Sequence, residues 1–473
     1  VFSKKAAEVF SANGIHVSIY NELMPTPCLS YAVRRLGCAA GIMVTASHNP
    51  SKYNGYKVYG ADGCQITTKA AKEILAKINA VDIFSGVKSM KFAKGIEQKR
   101  ISYIGEETVE AFIRAVSAQS LCGDAACDKS VSIVYTPLNG TGLKCVLRCL
   151  KENGFTNISV VKEQAEPNGH FPTCPYPNPE IREALVLGLK EAKRLGSELL
   201  LATDPDCDRV GIAVKSGDDF VLLSGNEVGM LLLDYICKRR LALKRMPKNP
   251  LVVKTIVTID MAKRIAADYG VQVIDVLTGF KFIGEQIGFL EKKGQEDRYI
   301  LGFEESYGYL TGSYVRDKDA VNASLMICEM FAYYKAKGQS LLDVLNGLYT
   351  KYGYCLNTLH SYEFEGASGF RKMQDIMEKL RDNCPKTWMR RKIISVSDYQ
   401  MSITRYNDGR VEKIDLPVSN VLKFELEDNL SVVVRPSGTE PKLKMYMSVS
   451  AGSREEAGDL ERHFVKELEA MFA

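Results

Sequence analysis

Short apolar runs of strand length alternate with amphipathic runs of helix length through most of this chain. HVSIY (16–20) and GIMVTA (41–46) read as strands, and SVSIVYT (130–136) as a third. LKCVLRCLKENGF (143–155) reads as a helix ending near Gly154, and NISVVKE (157–163) as the strand after it. IREALVLGLKEAKRLG (181–196) is helical and runs into the strand SELLLAT (197–203). PLVVKTIVT (250–258), IDMAKRIAADYG (259–270) and VQVIDVL (271–277) make a further strand–helix–strand unit. Strands covered on both faces read as unbroken apolar runs, and the covering helices carry one apolar stripe. The alternation therefore predicts layered α/β domains with largely parallel sheets. The C-terminal part breaks the pattern. VLKFELEDNLSVVVRPSG and KLKMYMSVSA are strand-like, linked by a short turn, and one helix follows, SREEAGDLERHFVKELEAMF. That order predicts an antiparallel α+β domain.

A length of 473 residues accommodates about three or four domains. Composition places the linkers at SAQSLCGDAACDKS (117–130), at KRRLALKRMPKNP (238–250) and near YGYCLNT (352–358). The expected domains are 1–118, 119–245, 246–358 and 359–473. The net charge is only +5, from 62 basic and 57 acidic residues, with no Lys/Arg run, so nucleic acid is not an expected partner. No apolar run is long enough to span a bilayer and no signal peptide is visible, so a cytoplasmic protein without membrane association is expected. The 13 cysteines are scattered without a C-x-x-C, which argues against zinc and against a disulfide framework. Free thiols in a reducing compartment are expected. The chain opens at Val1 inside the helix-like SKKAAEVFSANG, without Met, and further residues are expected ahead of it.

Four loops carry chemistry. DPDCDR, Asp204–Arg209, follows an apolar strand and sets three carboxylates at alternate positions, a hard-oxygen cluster suited to Mg²⁺ or Ca²⁺. An EF-hand is excluded, because Arg209 and Lys215 stand where Gly and Glu are required. An acidic surface turn is the plainer alternative. RPSGTEPK groups Arg435, Ser437, Gly438 and Thr439 in one turn, which is either a phosphate cradle or an ordinary Pro-Ser-Gly hairpin. LGFEESYGYL (301–310) places Glu304, Glu305 and Ser306 after an apolar strand, as acids for sugar hydroxyls or as a capped turn. VLTGFKFIG (276–284) and RDKDA (316–320) are equally ambiguous. In TASHN, Ser47 could cap a helix or anchor a loop; a Ser-His hydrolase is disfavoured, because the stretch is not a G-x-S-x-G elbow. Near a metal site, the serine could instead carry a phosphoryl group whose charge the cation offsets.

Together TASHNP with NGYK, DPDCDR, GFEESYG and RPSGTEPK resemble, in order, the signature loops of the α-D-phosphohexomutase superfamily, closest to its phosphoglucomutase/phosphomannomutase branch. The resemblance implies a four-domain α/β architecture around a central cleft, with three mixed α/β domains and a smaller antiparallel fourth. It implies that Ser47 is the phosphoserine and that Asp204, Asp206 and Asp208 bind Mg²⁺ with it. It makes Arg209 a contact of the phosphoserine or substrate, and His48 and Lys57 agents of proton transfer. Thr278 and Gly279 match the substrate-orienting loop, Glu304 and Ser306 the sugar-binding loop. Arg435, Ser437, Gly438, Thr439 and Lys442 match the distal phosphate-binding loop. The implied substrates are hexose phosphates, with a hexose 1,6-bisphosphate as intermediate and activator. GFEES looks nearer to glucose-type members than to those with GEMS or GEQS.

One departure stands out. The family places a strand and a glycine-rich, arginine-bearing turn well before the phosphoserine, and no such turn appears in the 46 residues ahead of Ser47. An active phosphoglucomutase is the leading reading. Phosphomannomutase and phosphopentomutase activities, a catalytically silent binding relative and a metal-dependent phosphatase stand beside it. Neither a monomer nor a dimer is selected.

Overall fold

The computed structural model describes residues 1–123, 127–364, 366–388, 390–437 and 442–472. They form two compact units. The first comprises Val1–Lys254, Tyr269–Ile274 and Gly279–Leu341; the second Thr255–Asp268, Asp275–Thr278 and Leu342–Ala473.

In the first unit, the helix Phe2–Ala12 leads to the strand Val17–Ile19, which runs parallel to Ile101–Tyr103. After the helix Thr26–Arg35, the strand Ala40–Val44 pairs antiparallel with Tyr56–Gly60. A five-stranded sheet follows, ordered Ile158–Val160, Ile133–Thr136, Leu199–Thr203, Val210–Ser216, Asp219–Leu223. Its first two pairings are parallel and its last two antiparallel, so the sheet is mixed where the sequence predicted a largely parallel one. The reason is local. A parallel return needs a crossover of a dozen residues or so. DPDCDR is far shorter, and Gly217 at φ 60° reverses the next pair.

All five residues of Leu199–Thr203 are buried, packed with Val134, Leu185, Leu189, Ala192 and Phe220. The helix Gly225–Ala242 begins in a capping box, with Ser224 and Glu227 each bonding the other's backbone N–H. The helix Ala320–Lys335 is buried through Tyr334, and Asp319 caps it by accepting from Val321 and Asn322. A helix apolar all round belongs inside a core, and this one contacts three of the surrounding helices. The strand at 250–258 ends earlier than its sequence suggests. It is extended over Leu251–Thr255, after which the Thr258 N–H closes a turn on the Thr255 carbonyl. It lies parallel to Tyr299–Phe303, which turns antiparallel onto Tyr309–Leu310.

The second unit is built on one antiparallel sheet. Its order is Tyr354–Glu363, Lys442–Ala451, Leu430–Pro436, Leu422–Leu426, Arg391–Asp398, Ile403–Tyr406, Val411–Lys413. The helices Gly366–Asp382 and Arg454–Phe472 supply Met377, Leu380, Phe464 and Leu468 to its core. Trp388 lies 4.6 Å from Phe424 and 5.7 Å from Phe464, ring centre to ring centre. The antiparallel α+β expectation for the C-terminal part holds.

One expectation fails. Cys122 and Cys127 form a disulfide, with Cα atoms 6.0 Å apart, although the other eleven cysteines are free thiols. The two residues are five apart, a spacing that a search for C-x-x-C passes over. Among the described residues no helix is long and apolar enough to cross a membrane.

Candidate active site

The serine loop is the end of a hairpin. Met43 stands opposite Lys57 in the ladder, and one residue beyond the strand the Thr45 N–H donates to the Gly55 carbonyl at 3.1 Å. A Cβ at Gly55 would lie 2.3 Å from the Thr45 carbonyl oxygen, so only glycine lets the two arms close. Thr45 Oγ1 accepts from the Ser47 N–H at 2.9 Å, and Ser47 is held left-handed at φ 54°. That conformation costs a non-glycine residue about 1–2 kcal/mol. Strain of this kind collects at functional loops. It sets the half-buried Ser47 Oγ 3.1 Å from His48 Nδ1 and lets it donate to Asp204 Oδ2 at 3.2 Å. Burial, followed by the Arg209 charge, pushes His48 down to about 4, so its imidazole is neutral near pH 7.

The buried strand Leu199–Thr203 delivers the aspartate loop. Asp204, Asp206 and Asp208 are 0%, 3% and 0% exposed, and ligand oxygens from all three lie within 4.8 Å of one another. Asp204 Oδ1 accepts from the Asp208 and Arg209 N–H groups at 3.0 and 2.9 Å, which curls the loop around it. Asp206 Oδ2 takes Lys57 Nζ at 2.9 Å and Thr26 Oγ1 at 3.3 Å. Asp208 Oδ2 takes Lys318 Nζ at 2.7 Å and Lys57 Nζ at 3.4 Å. The Oδ1 atoms of Asp206 and Asp208 are buried without a hydrogen-bond partner. Burial, reinforced by the Asp206 and Asp208 charges, pushes Asp204 well up. Burial also opposes the charge on Asp206, but Lys57, a hydrogen bond with Asp204 and the Lys318 charge together outweigh it, and the group stays well below the usual carboxylate range. Lys57 and Lys318 are desolvated as well, and the carboxylates raise both above the ordinary lysine value. Three buried carboxylates with two idle oxygens fit a hard divalent cation, which takes oxygen ligands and relieves their mutual repulsion.

Glu304 follows the fully buried strand Tyr299–Phe303 and is itself 5% exposed. Its Oε1 accepts from the Gly279 N–H at 3.0 Å, and burial pushes it up to about 7 against the pull of Lys318. Ser306 is half-buried in the same turn. Tyr307, at φ 63°, accepts from the Val210 N–H at 3.1 Å, and Gly308 pairs with Arg209 in an isolated bridge. These bonds stitch the glutamate loop to the aspartate loop. Arg209 Nη1 pairs with Glu180 Oε1 at 2.7 Å.

The first unit thus gathers Ser47, His48 and Asp204; Lys57 with Asp206 and Asp208; and Gly279 with Glu304. Arg209 and Ser306 belong to the same unit, whereas Thr278, Arg435, Ser437 and Lys442 lie in the second. Thr278 is half-buried there. Arg435 is half-buried near the end of its strand, opposite Lys444. The Ser437 N–H donates to the Lys442 carbonyl at 2.7 Å, and Lys442 Nζ pairs with Glu363 at 2.9 Å. Gly438 and Thr439 lie outside the described residues. The structure adds Lys318, Thr26 and Glu180 to the first unit's set. For Lys318 a signal existed, a lysine between two aspartates in RDKDA; for Thr26 and Glu180 the sequence held none.

Three family models match in succession: phosphoglucomutase/phosphomannomutase alpha/beta/alpha domain I at residues 1–83, domain II at 110–217 and domain III at 224–352. A phosphoglucomutase of Staphylococcus saprophyticus is 35% identical over 457 residues, covering 96% of this chain and 81% of the relative. Among solved structures, parafusin, a Paramecium phosphoglucomutase in an open form, superimposes with a TM-score of 0.68 at 17% identity, over 99% of this chain and 84% of that one. A phosphoglucomutase/phosphomannomutase family protein from Burkholderia thailandensis does so with a TM-score of 0.67 at 18% identity, over 97% and 84%. At such identities these two likenesses speak for the fold alone.

Proposed function

The chain belongs to the phosphoglucomutase/phosphomannomutase family, and from that premise we propose that it interconverts hexose 1-phosphate and hexose 6-phosphate, with glucose as the sugar, through a phosphorylated Ser47. The observation that carries this reading is the Ser47 Oγ at 3.2 Å from Asp204, within a buried carboxylate cluster that keeps two oxygens unpaired.

In the forward half-reaction the P–O bond to Ser47 breaks as the free sugar hydroxyl bonds to phosphorus. The hydroxyl proton passes to a base and the pair of electrons from the broken bond stays on Ser47 Oγ. His48, neutral near pH 7, is competent to accept a proton beside the serine. Lys57, kept cationic by Asp206 and Asp208, offsets charge instead. Asp204, Asp206, Asp208 and an oxygen on Ser47 would hold Mg²⁺, which when bound supplies Lewis-acid neutralisation of the transferring group. Arg209 contacts the phosphoryl oxygens. Glu304 and Ser306 grip ring hydroxyls, and Thr278 and Gly279 orient the sugar. Arg435, Ser437, Gly438, Thr439 and Lys442 read the distal phosphate. A hexose 1,6-bisphosphate forms, turns over and returns its other phosphate to Ser47; added as an activator, the same compound charges the serine. The domains 1–118, 119–245, 246–358 and 359–473 divide these tasks, and a cytoplasmic location belongs to the same reading.

A coupled assay with glucose, mannose, glucosamine and ribose 1-phosphates, each with Mg²⁺ and glucose 1,6-bisphosphate, tests it. The highest kcat/KM is expected for glucose 1-phosphate. Turnover of none of the four rejects the mutase reading; preference for another sugar rejects only the choice of glucose.

A further inference from the structure

The aspartate loop ends in a guanidinium that is fixed from outside the loop. Arg209 Nη1 and Glu180 Oε1 are 2.7 Å apart, and both side chains are largely shielded, at 18% and 29% exposure. Glu180 is not a wandering surface acid. Its N–H donates to Asn178 Oδ1 at 3.0 Å, and the Ile181 N–H donates to the Asn178 carbonyl at 3.2 Å, which locks the Asn178–Ile181 turn. That turn lies hard against the strand leaving the aspartate loop. A Cβ at Gly211 would sit 2.5 Å from the Pro179 carbonyl oxygen and 3.0 Å from Pro179 Cβ, so the approach requires glycine.

Arg209 itself is anchored twice more through its backbone, by its N–H to Asp204 Oδ1 at 2.9 Å and by its bridge to Gly308. Its Nε is buried with no hydrogen-bond partner. One end of the guanidinium is therefore taken, and a buried donor at another is left idle. Guanidinium donors on one edge match two oxygens of a phosphoryl group.

We propose that Glu180 is a positioning residue for phosphoryl transfer, fixing the Arg209 guanidinium through Nη1 so that its Nε edge meets the phosphoryl oxygens. The inference rests on the mutase reading. A rigid donor stabilises a transition state because it need not reorganise as charge develops, whereas a loosened one loses that advantage.

A double-mutant cycle on the full chain tests it, with glucose 1-phosphate as substrate and glucose 1,6-bisphosphate as activator. Glu180→Ala is expected to lower kcat by about 10- to 100-fold while KM stays within about twofold. Glu180→Gln, which keeps an oxygen acceptor for Nη1, is expected to recover most of that loss. In an Arg209→Ala background, Glu180→Ala is expected to add nothing, because the group it positions is gone. Multiplying losses, a rise in KM with kcat unchanged, or a wild-type Glu180→Ala enzyme would each overturn the inference. If Glu180→Ala does not fold, the Glu180→Gln variant decides: a KM effect without a kcat effect rejects positioning. A wild-type chain without mutase turnover would overturn the mutase reading and this inference with it. Active wild type with an indifferent Glu180 overturns this inference alone.

Discussion

We propose phosphate contacts in two regions of this molecule, and the two differ in what surrounds them. Around Ser47, every carboxylate is buried and tied to a lysine, a hydroxyl or backbone N–H groups, and the serine is held in a strained conformation. In the second unit, Arg435 is half-buried near the end of a strand and the Ser437 N–H donates to the Lys442 carbonyl. The contrast follows from the two tasks. Groups that meet a developing charge repay rigidity, because reorganising them during the reaction raises the barrier. A site that accepts whichever phosphate is not reacting needs donors for an anion and little sugar discrimination, so it contributes to binding in ground and transition states alike.

The sharpest way to break this division is Ser47→Ala. Turnover is expected to fall at least about 10³-fold, with the thermal midpoint little changed, since Ser47 itself is half-buried and Asp204 keeps its two backbone donors. Substantial residual activity in kinetic assays of that variant defeats the relay. Next in size is Asp208→Asn, which leaves Lys57 and Lys318 without one of their shared charges. A loss in kcat of about 10²–10³-fold is expected at saturating substrate. Chelation of divalent cations should likewise stop the wild-type enzyme, and added Mg²⁺ should restore it; indifference to a chelator refutes the metal site. Arg435→Ala sharpens the contrast from the other side. KM for the sugar phosphate should rise about 10- to 100-fold, the worth of a charge-assisted contact or two, with a smaller change in kcat. Collapse of kcat with normal KM would place Arg435 with the reacting groups.

The smallest effect concerns Glu304, a buried acid of the rigid region. Its folded value of about 7 lies above the ordinary 4.5, so between those limits the folded state binds more protons than the unfolded one. The contribution of Glu304 to stability is then most favourable below pH 4.5 and falls as pH rises through 7, because the slope follows the difference in bound protons. Glu304→Gln keeps an oxygen for the Gly279 N–H and removes the titration. The variant should gain on wild type by on the order of 2 kcal/mol across that window, read by denaturant unfolding at several pH values. Parallel profiles for the two proteins contradict the burial argument.

The same contrast governs what the sequence could reveal. DPDCDR and GFEESYG were legible because each follows an unbroken apolar run, and the structure does bury both strands completely. The antiparallel character of the C-terminal sheet was legible from consecutive strand-like runs, although Arg391–Asp398, Ile403–Tyr406 and Val411–Lys413 were not foreseen, and the edge strand Tyr354–Glu363 begins where a linker was expected near 352–358. Long-range partners were the hidden part. Lys57 meets Asp206 across 149 residues, and Lys318 reaches Asp208 from a loop whose local composition reads as a charged turn. Glu180 sits 29 residues before the arginine it holds, in a proline-bearing turn without a chemical signature. Pairings of this kind depend on sheet order, which periodicity does not encode. The Cys122–Cys127 bond escaped because a separation of five residues matches no motif that was sought.

The central claim is that Ser47 carries the phosphoryl group, and the mass of the intact protein tests it most directly. After incubation with glucose 1,6-bisphosphate and Mg²⁺, wild type is expected to gain one phosphate, mapped by peptide fragmentation to Ser47 and discharged by excess glucose 1-phosphate. A protein that stays unphosphorylated, or carries its phosphate on another residue, contradicts the account.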